Sequence, residues 1–105
     1  GTGTKANDAS EDQAVFEIFG GATPCSSTKG STGHLLGAAG ITEAIISMLA
    51  MEHEFMPGGQ PTRTIDPELR SHYLLENAAT RVNRVLSNSF GFGGSNCSLV
   101  LGRLA

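Results

Sequence analysis

Hydrophobic positions are unevenly distributed along the chain, and their pattern predicts its elements. Asp8 and Glu11 have capping-box spacing and lead into the run "AVFEIF", so we predict a helix over residues 9–19. Gly20 and Gly21 follow it, and glycine is the residue that most often ends a helix. The next stretch, residues 22–28, indicates a short extended segment.

The longest apolar run follows residue 33 and leaves almost no polar face. Its hydrophobic members are Leu35, Leu36, Ala38, Ala39, Ile41, Ala44, Ile45, Ile46, Met48, Leu49 and Met51. A helix that is apolar nearly all round is buried inside a larger body. We therefore predict a buried central helix over residues 33–52, interrupted by Glu43 and of the length of a soluble-protein helix rather than a membrane span.

The C-terminal third alternates between turn-forming and strand-forming stretches. Residues 56–80 carry three of the four prolines and indicate an irregular loop. Residues 81–90 and 96–104 are predicted strands, and "GFGG" between them predicts an antiparallel hairpin. With the helices, this gives an α/β chain.

Composition narrows the class of protein. Charged residues are only 16% of the chain and glycines number 14, which suits a piece covered by neighbouring chain rather than a self-sufficient domain. The opening "GTGTKAND" has the character of a mid-loop segment, so we expect a fragment of a longer protein. The net charge of −3 and the lack of a basic run give nucleic-acid binding no support.

The two cysteines, Cys25 and Cys97, lie far apart without a C-x-x-C motif. They indicate neither a disulfide framework nor a zinc site, and we expect a soluble, cytoplasmic protein. Each falls in a strand-like segment without a helix N-terminus that would favour the thiolate. We interpret both as small buried apolar groups and not as nucleophiles.

His34 is the first candidate for chemistry. A lone histidine is more often structural, but His34 precedes a predicted buried helix and follows Gly33, which leaves room for a ligand. The positive end of a helix dipole disfavours an imidazolium. A neutral imidazole there can donate an N–H hydrogen bond to a substrate oxygen, which makes His34 a candidate electrophile.

Lys29 precedes His34 by five residues across a glycine-rich turn, so both side chains can face one pocket. A solvated surface lysine is the plainer alternative. The segment "GATPCSSTKGS" lacks the second glycine of a phosphate-binding P-loop, which excludes that motif.

The segment "NSFGFGGSN" would be a plain hairpin turn except that it carries Phe90 and Phe92 among glycines. Turns seldom hold large apolar side chains. A phenylalanine between glycines suits a pocket gate, and exposed backbone N–H groups beside it suit an oxyanion hole.

Together, "GTGTKAND", "STKGSTGHLLGAAG" and "LSNSFGFGGSN" in this order resemble the C-terminal part of the β-ketoacyl-acyl carrier protein synthases, condensing enzymes with the thiolase-like fold. The resemblance implies that residues 1–105 are an incomplete C-terminal half-domain of a thiolase-like layered fold, with a mixed sheet that ends in the hairpin. The family's nucleophilic cysteine lies in its N-terminal half, and its first histidine directly precedes Gly1. We therefore expect the chain alone to be inactive.

The resemblance also implies a role for each matching residue. His34 and Lys29 fall on the family's second catalytic histidine and its lysine. Thr2 and Thr4 fall on the threonines that contact phosphopantetheine, and Asp8 and Glu11 on acidic positions that support the site. Phe92 falls on the gating phenylalanine whose N–H helps form the oxyanion hole, with Phe90 beside it.

The implied reaction is a decarboxylative Claisen condensation of an acyl thioester with malonyl-acyl carrier protein. His34 would stabilise the enolate and Lys29 would orient His34, with no metal and no nucleotide; phosphopantetheine of the carrier protein carries the substrates. The implied partners are acyl carrier protein, the N-terminal remainder of the synthase and a second copy in a homodimer. A polyketide ketosynthase domain and a non-catalytic subunit that binds carrier protein are the alternatives.

Overall fold

The computed structural model describes residues 2–59, 62–91 and 93–104 as an α/β chain. In chain order the elements are α1 (Lys5–Phe19), β1 (Pro24–Cys25), α2 (Lys29–Thr32), a 3₁₀ turn (Leu36–Ala38), α3 (Ala39–Glu52), β2 (Phe55–Met56), β3 (His72–Tyr73), β4 (Ala78–Ala79), β5 (Arg84–Phe90) and β6 (Asn96–Gly102). They form two compact units, one of residues 1–34 and 57–77 and the other of residues 35–56 and 78–105.

In the first unit, α1 begins four residues before the predicted start. Thr4 is its N-cap in extended conformation, and its hydroxyl oxygen accepts a hydrogen bond from the N–H of Asn7 at 3.2 Å. The prediction that Asp8 caps the helix is therefore wrong, because the Thr4 hydroxyl already satisfies a first-turn donor. The predicted end at Phe19 is confirmed, with Gly20 at φ +70° as the C-cap.

The rest of the first unit is built on short elements and loops. β1 and β3 pair in parallel, Pro24 with His72 and Cys25 with Tyr73. The N–H of Leu74 extends the pairing by donating to the Cys25 carbonyl at 2.8 Å. The prediction that residues 56–80 are wholly irregular is wrong, because this segment contains short strands. These strands are too brief to show a hydrophobic period in the sequence.

The second unit packs α3 beside a hairpin. β5 and β6 pair antiparallel from Arg84 with Gly102 to Phe90 with Asn96, and β2 pairs antiparallel with β4. Ser47, Ala50 and Met51 are the buried residues of α3. At its C-terminal end, the Arg103 guanidinium donates to the Met51 carbonyl.

The prediction that the central helix starts at residue 33 is wrong, and its burial inside a larger protein stays a prediction. Regular α-helix begins only at Ala39, since Gly33 and Leu36 both have positive φ and cannot continue a right-handed helix. Its apolar face is also exposed, because the neighbouring elements of its unit cover only the side with Ala50 and Met51. Ile41 is 64%, Met48 52% and Leu49 43% exposed.

The expected mixed sheet is likewise not formed by the residues that the structure describes. They make three separate two-stranded sheets, one parallel and two antiparallel. Within the same described ranges, no helix is both long enough and apolar enough to cross a membrane.

Candidate active site

The first unit contains most of the predicted site residues. Thr2, Thr4, Asp8, Glu11, Lys29 and His34 belong to it, whereas Phe90 belongs to the second unit. Phe92 lies outside the described residues. The arrangement that follows is therefore that of the first unit, with the hairpin described on its own.

Lys29 and His34 are separated by one turn of helix. Lys29 is the first residue of α2, and its carbonyl accepts a hydrogen bond from the N–H of Gly33 at 2.8 Å. Gly33 has φ +79°, a conformation that glycine adopts without steric cost, and it turns the chain out of α2 directly before His34. The helical turn thus starts at Lys29 and ends directly before His34.

His34 differs from the sequence prediction in its surroundings. It lies in the connection between α2 and the 3₁₀ turn, five residues before α3 begins, and it is exposed in this chain. The prediction that His34 lies at the start of the long helix is therefore wrong. The predicted shielding of its ring is also not provided by this chain.

Thr2 and Thr4 form a hydroxyl pair at the start of α1. Their Oγ1 atoms lie 3.0 Å apart, and the Thr2 N–H donates to the Asn7 side-chain oxygen at 3.0 Å. Each hydroxyl has one hydrogen to donate, and only one of the two hydrogens is used between them. The pair therefore retains a donor for a ligand even while Thr4 caps the helix.

Asp8 and Glu11 both lie in the N-terminal part of α1. Asp8 is exposed in the first turn, where a negative charge is favoured by the helix dipole. Glu11 is half-buried, and its charge adds to those that disfavour a thiolate at Cys25. These positions fit a supporting role, whereas the closest polar contacts of the helix belong to another residue.

That residue is Asp12, which the sequence analysis missed. Its carboxylate accepts hydrogen bonds from the N–H of Arg70, at 3.2 and 3.0 Å to the two oxygens, and from the N–H of Ser71 at 2.9 Å. The Ser71 hydroxyl donates to the same carboxylate. Burial opposes ionisation of Asp12, but the hydrogen bonds from Ser71 and Arg70 outweigh it and lower its pKa.

A second contact lies one turn further along the same face of α1. The Arg70 guanidinium carbon is 4.2 Å from the centre of the Phe16 ring, a cation–π contact. The spacing of four between Asp12 and Phe16 was the only local signal of this face. Its partners lie 58 and 59 residues away from Asp12, so no short motif joins them.

The hairpin places Phe90 at its last strand pair, opposite Asn96, which is the predicted end of the strand and lies before the glycine-rich turn. Phe90 is 44% exposed. The N–H of Gly91 donates to the Ser95 carbonyl at 2.6 Å, so this amide closes the turn. Gly93 and Gly94 have φ of +81° and +85°, which two consecutive glycines accommodate.

The two cysteines lie in strands, as predicted, but differ in exposure. Cys25 in β1 is half-buried, and burial raises the pKa of its thiol, while the nearby Ser71 side chain acts in the opposite direction. Cys97 in β6 is exposed, so the prediction that it is a buried apolar group is wrong for this chain. Its segment is at the hairpin surface, where no neighbouring element covers it.

Comparison with known proteins identifies a family that covers more than half of the chain. The sequence profile of the family described as "Beta-ketoacyl synthase, C-terminal domain" matches residues 1–62. That span contains the hydroxyl pair, α2 and His34. The chain belongs to the β-ketoacyl synthase family. The resemblance of its motifs to this family is thereby confirmed.

Relatives extend the match to nearly the full chain. The chain is 42% identical to 3-oxoacyl-[acyl-carrier-protein] synthase 1 of Escherichia coli strain K12, over 99% of this chain and 26% of the relative. It is 42% identical to the mitochondrial 3-oxoacyl-[acyl-carrier-protein] synthase of Arabidopsis thaliana, over 94% and 23%. For synthase 1 of Haemophilus influenzae the values are 40%, 98% and 26%. The chain thus spans about a quarter of the length of these relatives.

Proposed function

We propose that this chain is the C-terminal part of a 3-oxoacyl-acyl carrier protein synthase. The complete enzyme condenses an acyl thioester with malonyl-acyl carrier protein, and the chain alone is inactive. The observation that carries the proposal is the segment from Lys29 to His34, a single helical turn closed by the Gly33 N–H inside the span that matches the family. Relatives that are named as such synthases support it.

Residues 1–105 form an incomplete C-terminal half-domain of a thiolase-like layered fold in this proposal. The exposed apolar face of α3 supports it, because Ile41, Ile45 and Met48 are large side chains that a larger protein would cover. In the complete enzyme, α3 is then the central helix. The short two-stranded sheets are edges that further strands would extend.

His34 stabilises the negative charge that appears when the malonyl group loses carbon dioxide. Decarboxylation leaves an enolate on the thioester oxygen, and a neutral imidazole N–H placed beside that oxygen lowers the barrier. The enolate carbon then attacks the acyl thioester on the cysteine of the N-terminal half. Lys29, one helical turn away, orients His34 and sets the local charge.

Two further sets of residues handle the substrates. The Thr2–Thr4 hydroxyl pair donates its unused hydrogen to the phosphopantetheine arm, whose amide carbonyls are suitable acceptors. Phe92, with Phe90 beside it, gates the acyl pocket, and the Phe92 N–H contributes to the oxyanion hole. Asp8 and Glu11 support the site from α1.

The chemistry needs no further cofactor, because N–H donors carry the enolate charge and the substrates arrive on phosphopantetheine of acyl carrier protein. The partners are this carrier protein, the N-terminal remainder of the synthase and a second copy in a homodimer. We place the enzyme in the cytoplasm. A polyketide ketosynthase is not favoured by the names of the relatives, and retention of both Lys29 and His34 argues against a non-catalytic subunit.

The test is His34→Ala in the complete synthase, with the two half-reactions measured separately. We expect malonyl decarboxylation to fall by about 10²–10³, the usual cost of one preorganised donor, while acylation of the cysteine is nearly unchanged. Equal loss of both half-reactions would show that His34 serves acylation or structure instead. Condensation product formed by the 105-residue chain alone would contradict the proposal of an incomplete half-domain.

A further inference from the structure

Helix α1 is attached to its unit by polar contacts and by side chains that are only half-buried, Val15 and Phe16 among them. None of its 15 residues is buried. The described contacts that join its body to the rest of the unit include those of Asp12 with Arg70 and Ser71 and the stacking of Arg70 on Phe16. A helix with so little apolar burial depends on such contacts for its orientation.

We propose that Asp12 is a positioning residue for substrate binding. Hydrogen bonds to its carboxylate attach α1 to the backbone of Arg70 and Ser71 and thereby hold the Thr2–Thr4 hydroxyl pair in place. The inference rests on the proposed function, since it gives that hydroxyl pair a substrate to bind. Asp12 does not itself contact the substrate.

The contact of Asp12 with residues 70 and 71 acts on the hydroxyl pair through the helix. Thr4 caps α1 eight residues before Asp12, which at 1.5 Å per residue is about 12 Å along the axis. The helix between them is continuous from Lys5, so a rotation at Asp12 moves the cap as well. The hydroxyl pair would be displaced, and the hydrogen bond from the Asn7 N–H to the Thr4 hydroxyl would open more often.

The contact of Asp12 with residues 70 and 71 also connects α1 to the segment that carries Lys29. Ser71 directly precedes β3, and β3 pairs in parallel with β1. β1 leads within a few residues into α2, where Lys29 is the first residue. Asp12 therefore joins the part of the unit that binds the substrate arm to the part that begins at β1.

The carboxylate is required because of the direction of its hydrogen bonds. Arg70 N–H, Ser71 N–H and the Ser71 hydroxyl all donate to one carboxylate oxygen, and the Arg70 N–H also donates to the second oxygen at 3.0 Å. An asparagine has only one accepting oxygen, and its amide hydrogens would face the Arg70 N–H. The lowered pKa of Asp12 agrees with an ionised acceptor.

The experiment compares Asp12→Asn, Ser71→Ala and their combination in the complete synthase. Glu17→Gln is the matched control, because it makes the same chemical change on the exposed surface of α1, where Glu17 only accepts from Gln13. We expect Asp12→Asn to raise KM for malonyl-acyl carrier protein roughly tenfold, the scale of a lost hydrogen bond to a charged group. kcat should change less than about twofold, Ser71→Ala should act similarly, and the combination should not be additive.

Amide hydrogen exchange provides the readout that does not depend on activity. Asp12→Asn should accelerate exchange at Arg70 and Ser71 and also at Asn7, whose N–H donates to the Thr4 cap, while the hairpin amides stay protected. Faster exchange at Arg70 and Ser71 with Asn7 unchanged would overturn the positioning role. So would equal losses in kcat and kcat/KM that follow the melting temperature. An inactive wild-type synthase would instead refute the proposed function, and the exchange at Asn7 would still decide the role of Asp12.

Discussion

Each of the two units of this chain is stabilised internally by a different kind of contact. In the second unit a helix packs beside a hairpin of two seven-residue strands whose register runs without a break, and the buried residues Ala50 and Met51 face the interior. In the first unit, α1 buries no residue, and side-chain oxygens bind loop backbone instead. Asp12 holds residues 70 and 71, and the Asn77 side chain accepts from the Gly58 N–H at 2.8 Å.

This difference matches what each unit is proposed to do. Hydrogen bonds are directional, so a unit built on them sets the orientation of hydroxyl and imidazole groups, although it gains little from apolar burial. The second unit has the opposite character, because the regular backbone ladder fixes it and leaves a wide apolar face for further packing. Changes to apolar volume should therefore harm the second unit most, and changes to polar or close backbone contacts should harm the first.

The largest expected effect is on apolar packing in the second unit. Met51 is 6% exposed and Met48 is 52% exposed on the same helix, so they form a matched pair. Met51→Ala in the 105-residue chain should lower the free energy of unfolding by about 2–4 kcal/mol, because it leaves a cavity. Met48→Ala should cost less than about 1 kcal/mol. Equal costs in urea unfolding would mean that the exposed face of α3 is covered in solution.

A smaller effect is expected from close backbone packing in the first unit. A Cβ added at Gly58 would lie 2.6 Å from the Glu76 Cα and 2.7 Å from its nitrogen, and backbone atoms yield little. Gly58→Ala should therefore cost about 1–3 kcal/mol, as overpacking usually does. Gly37→Ala is the control, since nothing lies within 4 Å of its Cβ position.

Hydrogen exchange assigns the Gly58→Ala effect to one unit. The Gly59 N–H donates to the Leu74 carbonyl at 2.7 Å, and the Leu74 N–H donates to Cys25, so both amides should exchange faster. The hairpin amides should be unchanged. Faster exchange throughout the hairpin would show that the two units unfold together and would remove the basis of the comparison.

Acid should weaken only the first unit, and by less. The pKa of Asp12 is lowered in the fold, so its ionised form stabilises the protein above its ordinary value of 3.8 and ceases to do so as pH falls through the lowered value. We expect a loss of about 1 kcal/mol, since the carboxyl is only partly buried. The Arg70 and Ser71 amide signals should titrate with it, and Asp12→Asn should abolish that titration.

The sequence predicted best what short-range chemistry controls. The end of α1 at Gly20 and the antiparallel pairing of the two last strands follow from glycine and from alternation. The start of α1 was missed because Asp8 and Glu11 have capping-box spacing, whereas the Thr4 hydroxyl is the group that accepts from a backbone N–H. The long apolar run did not predict where its helix begins, since the positive φ of Leu36 cannot be read from a leucine.

The candidate site divides in the same way. Lys29 and His34 were named as candidates from their spacing. The structure places a turn of helix between them that the sequence analysis did not predict. Asp12 was missed because its partners are separated from it by more than half of the chain. Contacts of this kind depend on how loops meet, which periodicity does not describe.

The smallest effect concerns thiol reactivity, which leaves stability unchanged. Burial raises the pKa of the half-buried Cys25, whereas Cys97 is exposed on β6. Since the thiolate is the reactive form, iodoacetamide at neutral pH should label Cys97 at least about tenfold faster. Mass spectrometry of a time course measures both rates, and Ser71→Ala should slow labelling of Cys25 alone, because the Ser71 side chain lowers the pKa of that thiol against the effect of burial. Cys25 labelled first would mean that β1 opens readily, and that polar contacts hold the first unit less firmly than this structure indicates.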